Sequence, residues 1–309
     1  SNCKNLILAA GERLSALAIA HKLRDTGVNE AHPIGAEDIG LKLKGRTGAT
    51  EIDIDMSSKY LDREKLTGIP ILTGWFGEGE DGNIAVLSRG GSDHSAAAFA
   101  NLLDARKLIL WKDVDGIKRL NPRWGLDTPN IPYLGYEQAY ELSMHGTPII
   151  HRATVSPITE LGIPVEVRNF HNPTSEPPTI IGPDLINKGV IAIGCHPGVA
   201  VISDDKPLSS LLLSKIEEYE ITPWLMKSTP ESMKLVIPTF DFDRLEEYVQ
   251  GKTEFKTAIV SIIGDCKVPS EYEIVSKNEF ATRIIIECEN LSLEIRNLYH
   301  SLFSLQDCK

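Results

Sequence analysis

The stretch from Ile84 to Trp111 constrains the fold more than any other part of the chain. A short apolar run, Ile84 to Leu87, leads into the turn Arg89-Gly90-Gly91-Ser92-Asp93. A segment follows in which Ala96, Phe99, Ala100 and Leu103 recur at helical spacing, and then a second apolar run, Leu108 to Trp111. Strand, glycine turn, helix, strand is the βαβ signature of an α/β domain. Upstream, Leu14, Leu17, Ala18 and His21 follow helical spacing and predict a helix that stops at Asp25-Thr26-Gly27, and Ile69 to Thr73 predicts a buried strand ending at Gly74.

Turn formers crowd between Asn172 and Lys188, where Asn172-Pro173, Glu176-Pro177-Pro178 and Gly182-Pro183-Asp184 follow one another. A domain boundary is expected there, with one domain over residues 1–184 and another over 188–309. In the second half, strands are expected at 189–193 and 198–202, near 222–227 and at 234–237, with helices at about 207–219 and 241–250. The order then partly recurs, with strands at 256–263, 272–276 and 282–288 and a helix at about 291–303. Two copies of a small βαββαβ unit account for this. The second copy lacks one element, because the gap between Ile263 and Tyr272 is shorter than the ~10 residues of a usual helix.

Glycines at 90 and 91 let the backbone turn sharply and approach a ligand, and Ser92 can cap the following helix so that its first amides point outward. Such a helix start is an anion seat, and the Arg89 guanidinium beside it can grip a carboxylate or phosphate in a bidentate way. The stretch from Lys112 to Arg123 follows directly on a strand, at the end where open α/β sheets hold their ligands. It carries Lys112, Lys118, Arg119 and Arg123 in a chain whose net charge is −11. Local positive charge of this kind suits an anionic nucleotide, and Asp113 and Asp115 could orient groups or hold Mg2+. The same overall charge argues against nucleic acid or an anionic membrane as the main partner. No apolar run approaches the ~20 residues of a membrane helix, and the opening Ser1-Asn2-Cys3-Lys4 has no basic-then-apolar leader pattern, so a cytoplasmic protein is expected. The five cysteines are scattered without a CxxC pair, which suggests neither a disulfide framework nor a zinc site.

These motifs together resemble the aspartate kinase family. The matching residues are Leu87-Ser-Arg-Gly-Gly-Ser-Asp-His-Ser-Ala-Ala97, Trp111-Lys-Asp-Val-Asp-Gly-Ile117 and Asn121-Pro-Arg123, with Gly11-Glu12-Arg13-Leu14-Ser15 and Gly74-Trp75-Phe76-Gly77 upstream in the family's order. The resemblance implies an α/β, three-layer αβα amino-acid kinase (carbamate kinase-like) domain followed by two ferredoxin-like ACT units. It implies transfer of the γ-phosphate of ATP, with Mg2+, to the side-chain carboxylate of L-aspartate. By the same resemblance Glu12, Arg89, Gly90, Gly91 and Ser92 form the aspartate site, with Asp93 the catalytic acidic group nearest the reacting carboxylate. Lys112, Asp113, Lys118, Arg123, Pro148 and Ile149 fall at nucleotide positions. A homodimer through the ACT units, and feedback by lysine or threonine, are implied in the same way.

The chain also departs from the family. The Lys-Phe-Gly-Gly-Thr motif does not occur, Pro148 stands where the family has lysine, and Lys112, Lys118 and Asn121 replace a usual threonine, tyrosine and aspartate. Three readings stay open at this point: an aspartate kinase, a carboxylate kinase of the same fold acting on another substrate such as glutamate, and a paralogue that kept amino-acid sensing and lost turnover. For the effector, the stretch Ser203-Asp204-Asp205-Lys206-Pro207-Leu208 before a helix is the candidate, because its amides and acidic side chains could hold both charged ends of an amino acid.

Overall fold

The computed structural model describes residues 2–44, 51–88, 90–144, 152–174, 177–185, 189–219 and 221–304. The chain divides into two compact units. The first comprises Ser1–Gly116, Pro132–Tyr136 and Ile149–Pro183, the second Ile117–Ile131, Glu137–Pro148 and Asp184–Lys309.

The first unit opens with α1 (Asn2–Asp25), β1 (Ala31–Ile34), β2 (Leu43–Lys44), β3 (Glu51–Ile52), α2 (Ile54–Tyr60) and β4 (Ile69–Leu72). It continues with β5 (Phe76–Glu78), β6 (Ile84–Val86), α3 (Gly91–Leu102), β7 (Leu108–Lys112) and β8 (Tyr133–Gly135). Next in the chain is α4 (Tyr136–Met144), which from Glu137 on belongs to the second unit, and then α5 (Arg152–Thr159), β9 (Val165–Asn169) and β10 (Thr179–Gly182) of the first. Strand β1 pairs in parallel with β4, and a sheet of order β7-β9-β10-β8 carries parallel β7–β9 and β10–β8 pairs around the antiparallel β9–β10 pair. Ile39, Leu41, Ala98, Phe99 and Leu102 belong to one continuous core, which is why α3 is apolar on nearly every side.

The strand–glycine turn–helix–strand expectation is met by β6, α3 and β7. The helix expected around Leu14 to His21 is present and ends at Asp25, but the buried face is a different one. Leu14 and Leu17 are 69% and 58% exposed, whereas Asn5, Ala9, Ala16 and Ala20 are buried. The small alanines allow close approach of the helix, and the Asn5 side-chain amide donates to the Ile84 carbonyl at 2.8 Å.

The second unit is built on β11 (Val190–Asp204), α6 (Ser210–Glu218), β12 (Leu225–Thr229), β13 (Ser232–Pro238), α7 (Thr239–Leu245), β14 (Lys252–Gly264), β15 (Glu273–Lys277), β16 (Ala281–Ile286) and α8 (Leu291–Ser304). Its six-stranded antiparallel sheet has the order β12-β13-β11-β14-β16-β15. The two strands expected at 189–193 and 198–202 are a single strand, β11, which passes through Gly198 at φ +77°.

Two βαββαβ-like units share this sheet, and one is nested in the other. The run β11–α6–β12–β13–α7–β14 makes one, with sheet order β12-β13-β11-β14. The other takes the C-terminal half of β14, then β15, β16 and α8, and receives its fourth strand from the N-terminal half of β11, where Ala192 to Pro197 pair with Ile263 to Ala258. Among the described residues no helix joins β14 to β15, as the short spacing predicted. The apolar positions divide accordingly. Ala200, Ile202, Leu235 and Ile237 pack with α6 and α7, while Ile193, Cys195, Val260 and Ile284 pack with Ile295, Leu298 and Leu302 of α8.

Candidate active site

The first unit holds a cavity of about 360 Å³ lined by Glu12, Trp75, Gly90, Gly91, Ser92, Asp93 and Lys112. Four segments distant in sequence meet there: α1 supplies Glu12, the turn after β4 supplies Trp75, the start of α3 supplies residues 90 to 93, and the carboxyl end of β7 supplies Lys112. Gly90, and not Ser92 as expected, caps α3 at φ +80° with no side-chain hydrogen bond; the Gly91 amide donates to the Ser88 carbonyl at 3.1 Å, and the Ser92 and Asp93 amides are the ones left for a ligand. Gly91 has a steric reason: a Cβ there would lie 2.6 Å from both Leu87 Cβ and Trp75 Cδ1.

Trp75, at φ +68°, is held in an unusual backbone conformation by Ser95. The Trp75 N–H donates to Ser95 Oγ at 2.9 Å, and that hydroxyl donates to the Gly91 carbonyl at 2.9 Å. Trp75, a wall of the cavity, is not among the residues the sequence assigns to the site, and a large aromatic between Gly74 and Gly77 is the signal that could have marked it.

Lys112 Nζ donates to both carboxylate oxygens of Asp93, at 2.8 and 2.6 Å. Both side chains are largely shielded, with 26% and 19% exposure. Arg13, next to Glu12, pairs with Glu37 and lies over the Phe76 ring at 5.2 Å, which ties this part of α1 down. Asp113 is exposed, and Asp115 accepts from the Asn169 side-chain amide at 2.7 Å.

Other candidates stand elsewhere. Arg89, Pro148 and Ile149 lie outside the described residues. Lys118 and Arg123 belong to the second unit: Lys118 Nζ donates to Asp127 Oδ1 at 2.6 Å and to the Thr128 carbonyl at 3.1 Å, and Arg123 Nη2 donates to the Cys195 carbonyl at 2.7 Å while lying 4.7 Å over the Trp124 ring. Cys195 is buried, and burial pushes its thiol up to about 12, which suits packing rather than nucleophilic chemistry. Ser203 and Asp204 are the last residues of β11, whereas a loop was expected for them, because Ser203 is in register with both Lys234 and Lys252. Asp205 to Leu208 form the connection, with the Leu208 amide donating to Ser228 Oγ at 2.9 Å, and Ser209 caps α6.

The sequence profile of the amino acid kinase family matches residues 2–169. The chain belongs to the amino acid kinase family. It is 30% identical over 214 residues to the aspartokinase of Schizosaccharomyces pombe, an alignment that covers 69% of this chain and 40% of that protein. Among solved structures it is similar to E. coli aspartokinase III in complex with aspartate and ADP, with a TM-score of 0.79 at 22% identity over 98% of this chain and 76% of that one. The same enzyme in complex with lysine and aspartate gives a TM-score of 0.72 at 22% identity, covering 95% and 74%. These likenesses bear out the expected fold, an αβα amino-acid kinase domain with ferredoxin-like ACT units. The chain spans well under two thirds of the fungal relative it matches.

Proposed function

We propose that the chain is the kinase and sensor part of an aspartate kinase, which transfers the γ-phosphoryl of ATP to the side-chain carboxylate of L-aspartate to give 4-phospho-L-aspartate. The observation that carries this reading is the convergence of Glu12, the Gly90-Gly91-Ser92 turn, Asp93 and Lys112 on one cavity of about 360 Å³. That set can satisfy an amino acid at both ends. The Glu12 carboxylate suits an ammonium group, and the open helix start, with Arg89 next to it in sequence, suits a carboxylate. The E. coli relative was solved with aspartate and ADP, which supports the same assignment.

Phosphoryl transfer leaves little covalent work to the protein, so positioning and charge stabilisation carry the rate. Mg2+ would arrive on the nucleotide phosphates, for which one or two carboxylates suffice, and the exposed Asp113 fits that demand. When bound, the ion neutralises phosphate charge. Lys118, Arg123, Pro148 and Ile149 complete the proposed nucleotide set. The proposed kinase domain covers residues 1–184, and the sensor covers 188–309. The sensor binds lysine or threonine near Ser203, Asp204, Asp205 and Leu208, and forms a homodimer through its sheet, whose edges are β12 and β15. Among the described residues no helix is long and apolar enough to cross a membrane, and the proposed location is the cytoplasm.

The test is ADP release from ATP and Mg2+ as a function of aspartate, with glutamate as control and lysine and threonine as additives. Aspartate-dependent release with a much lower rate for glutamate is the expected result. Binding of amino acids without turnover would overturn the kinase reading and leave a sensor.

A further inference from the structure

An ionised side-chain carboxylate is already a competent nucleophile, since its pKa of about 4 leaves no proton to remove at neutral pH. In the proposed reaction one carboxylate oxygen bonds to the γ-phosphorus as the bond from that phosphorus to the bridging oxygen breaks, and the electron pair leaves with the nucleoside diphosphate. No proton has to move. Asp93 therefore has no work as a general base, and a bare carboxylate beside an anionic transition state would repel it.

The structure resolves this conflict through Lys112. Its ammonium has three donors, of which two hold the Asp93 carboxylate at 2.6 and 2.8 Å, and the third meets no acceptor among the described residues. The pair lines the same cavity as Glu12 and the glycine-capped start of α3. Among the described lining residues Lys112 is the only cation, set against the carboxylates of Glu12 and Asp93. For a largely shielded lysine–carboxylate pair the desolvation of both groups offsets much of their attraction, so the pair is weak evidence of a stabilising role at the cavity wall.

We propose that Lys112 is the catalytic cation that meets the transferred phosphoryl group, and that Asp93 is a positioning residue that aims its ammonium. This rests on the carboxylate-kinase reading above.

The test compares the full chain with Lys112→Met, Lys112→Arg, Asp93→Asn and the double variant Asp93→Asn/Lys112→Met. For Lys112→Met, kcat at saturating substrates is expected to fall roughly 100- to 1,000-fold, the usual cost of one transition-state donor, with the melting temperature unchanged. Lys112→Arg should recover part of that loss. Asp93→Asn should also lower kcat but add nothing in the Lys112→Met background. A second readout is independent of turnover: calorimetric affinities for a non-hydrolysable ATP analogue and for ADP. Wild type is expected to favour the triphosphate about tenfold, a preference worth ~1.4 kcal/mol, and Lys112→Met to lose it. An unchanged triphosphate preference in Lys112→Met, or losses that multiply in the double variant, would overturn the proposal. If wild type fails to phosphorylate aspartate, the function reading falls by itself, and the affinity ratio still decides the role of Lys112.

Discussion

The Glu141 carboxylate in α4 is 6% exposed and is gripped from two sides. Arg283 donates from Nε to Oε1 and from Nη2 to Oε2, both at 2.6 Å, and Ser261 Oγ donates to Oε1 at 2.7 Å. The hydrogen bonds to Glu141 hold the guanidinium above its ordinary range despite burial, and Nη1 also reaches the Trp224 carbonyl at 2.9 Å. Removing one partner of such a pair leaves an uncompensated buried charge, whereas removing both leaves an apolar site. Arg283→Met is therefore expected to cost roughly 3–5 kcal/mol in urea unfolding, and Glu141→Leu/Arg283→Met to recover most of it. A single variant as stable as wild type would mean that water reaches the carboxylate. Neither partner was legible in the sequence, because 142 positions separate them and only strand pairing brings Arg283 beneath α4. The same holds for Lys112 and Asp93. Each was singled out by its own motif, but their contact depends on where β7 ends relative to the start of α3. The Gly90-Gly91-Ser92 turn was legible because its reason is local, a helix start that needs a positive φ and has no room for a Cβ.

For whole elements, period was easier to read than phase. Helix α1 has two stripes at helical spacing: Leu14, Leu17 and Ala18 outward, and Ala9, Ala16 and Ala20 inward. Hydrophobicity alone favours the leucines, and the structure favours the alanines, since a short side chain permits the close approach that lets Asn5 reach the Ile84 carbonyl. The buried stripe can be checked by substitution. Ala16→Leu is expected to overpack and cost about 1–3 kcal/mol, while Leu17→Gln should stay within about 0.5 kcal/mol of wild type. Thermal melts of both variants suffice, and the reverse ranking would restore the leucine face. Strand β11 failed for a different reason. The expected strands stop at 193 and resume at 198, yet the ladder to β14 runs through the gap from Ala192 to Ser203. The register to β14 is continuous through Gly198, so plain alternation puts the odd-numbered Ile193 and Cys195 in one core and the even-numbered Ala200 and Ile202 in the other.

At the scale of the whole molecule, nesting joins the two βαββαβ units through the strands they share. Strand β11 gives its N-terminal half to one and its C-terminal half to the other, and β14 does the same in the opposite direction. Two consecutive copies, which the recurring order of elements suggested, could open one at a time. Nested copies are coupled, because β11 and β14 each run unbroken from one unit into the other. Ile193 and Ile202 lie on opposite sides of Gly198 and are both fully buried, so truncating either creates a cavity costing about 2–5 kcal/mol. Native-state hydrogen exchange separates the two architectures. If the shared strands make one cooperative unit, the amides of 190–196 and of 199–204 exchange with the same opening free energy, and Ile202→Ala lowers both by the same amount. Faster exchange confined to 199–204 in Ile202→Ala would show that the halves open independently. The outcome bears on regulation as well, since an effector held near Ser203 would stabilise both units in the first case and only one in the second.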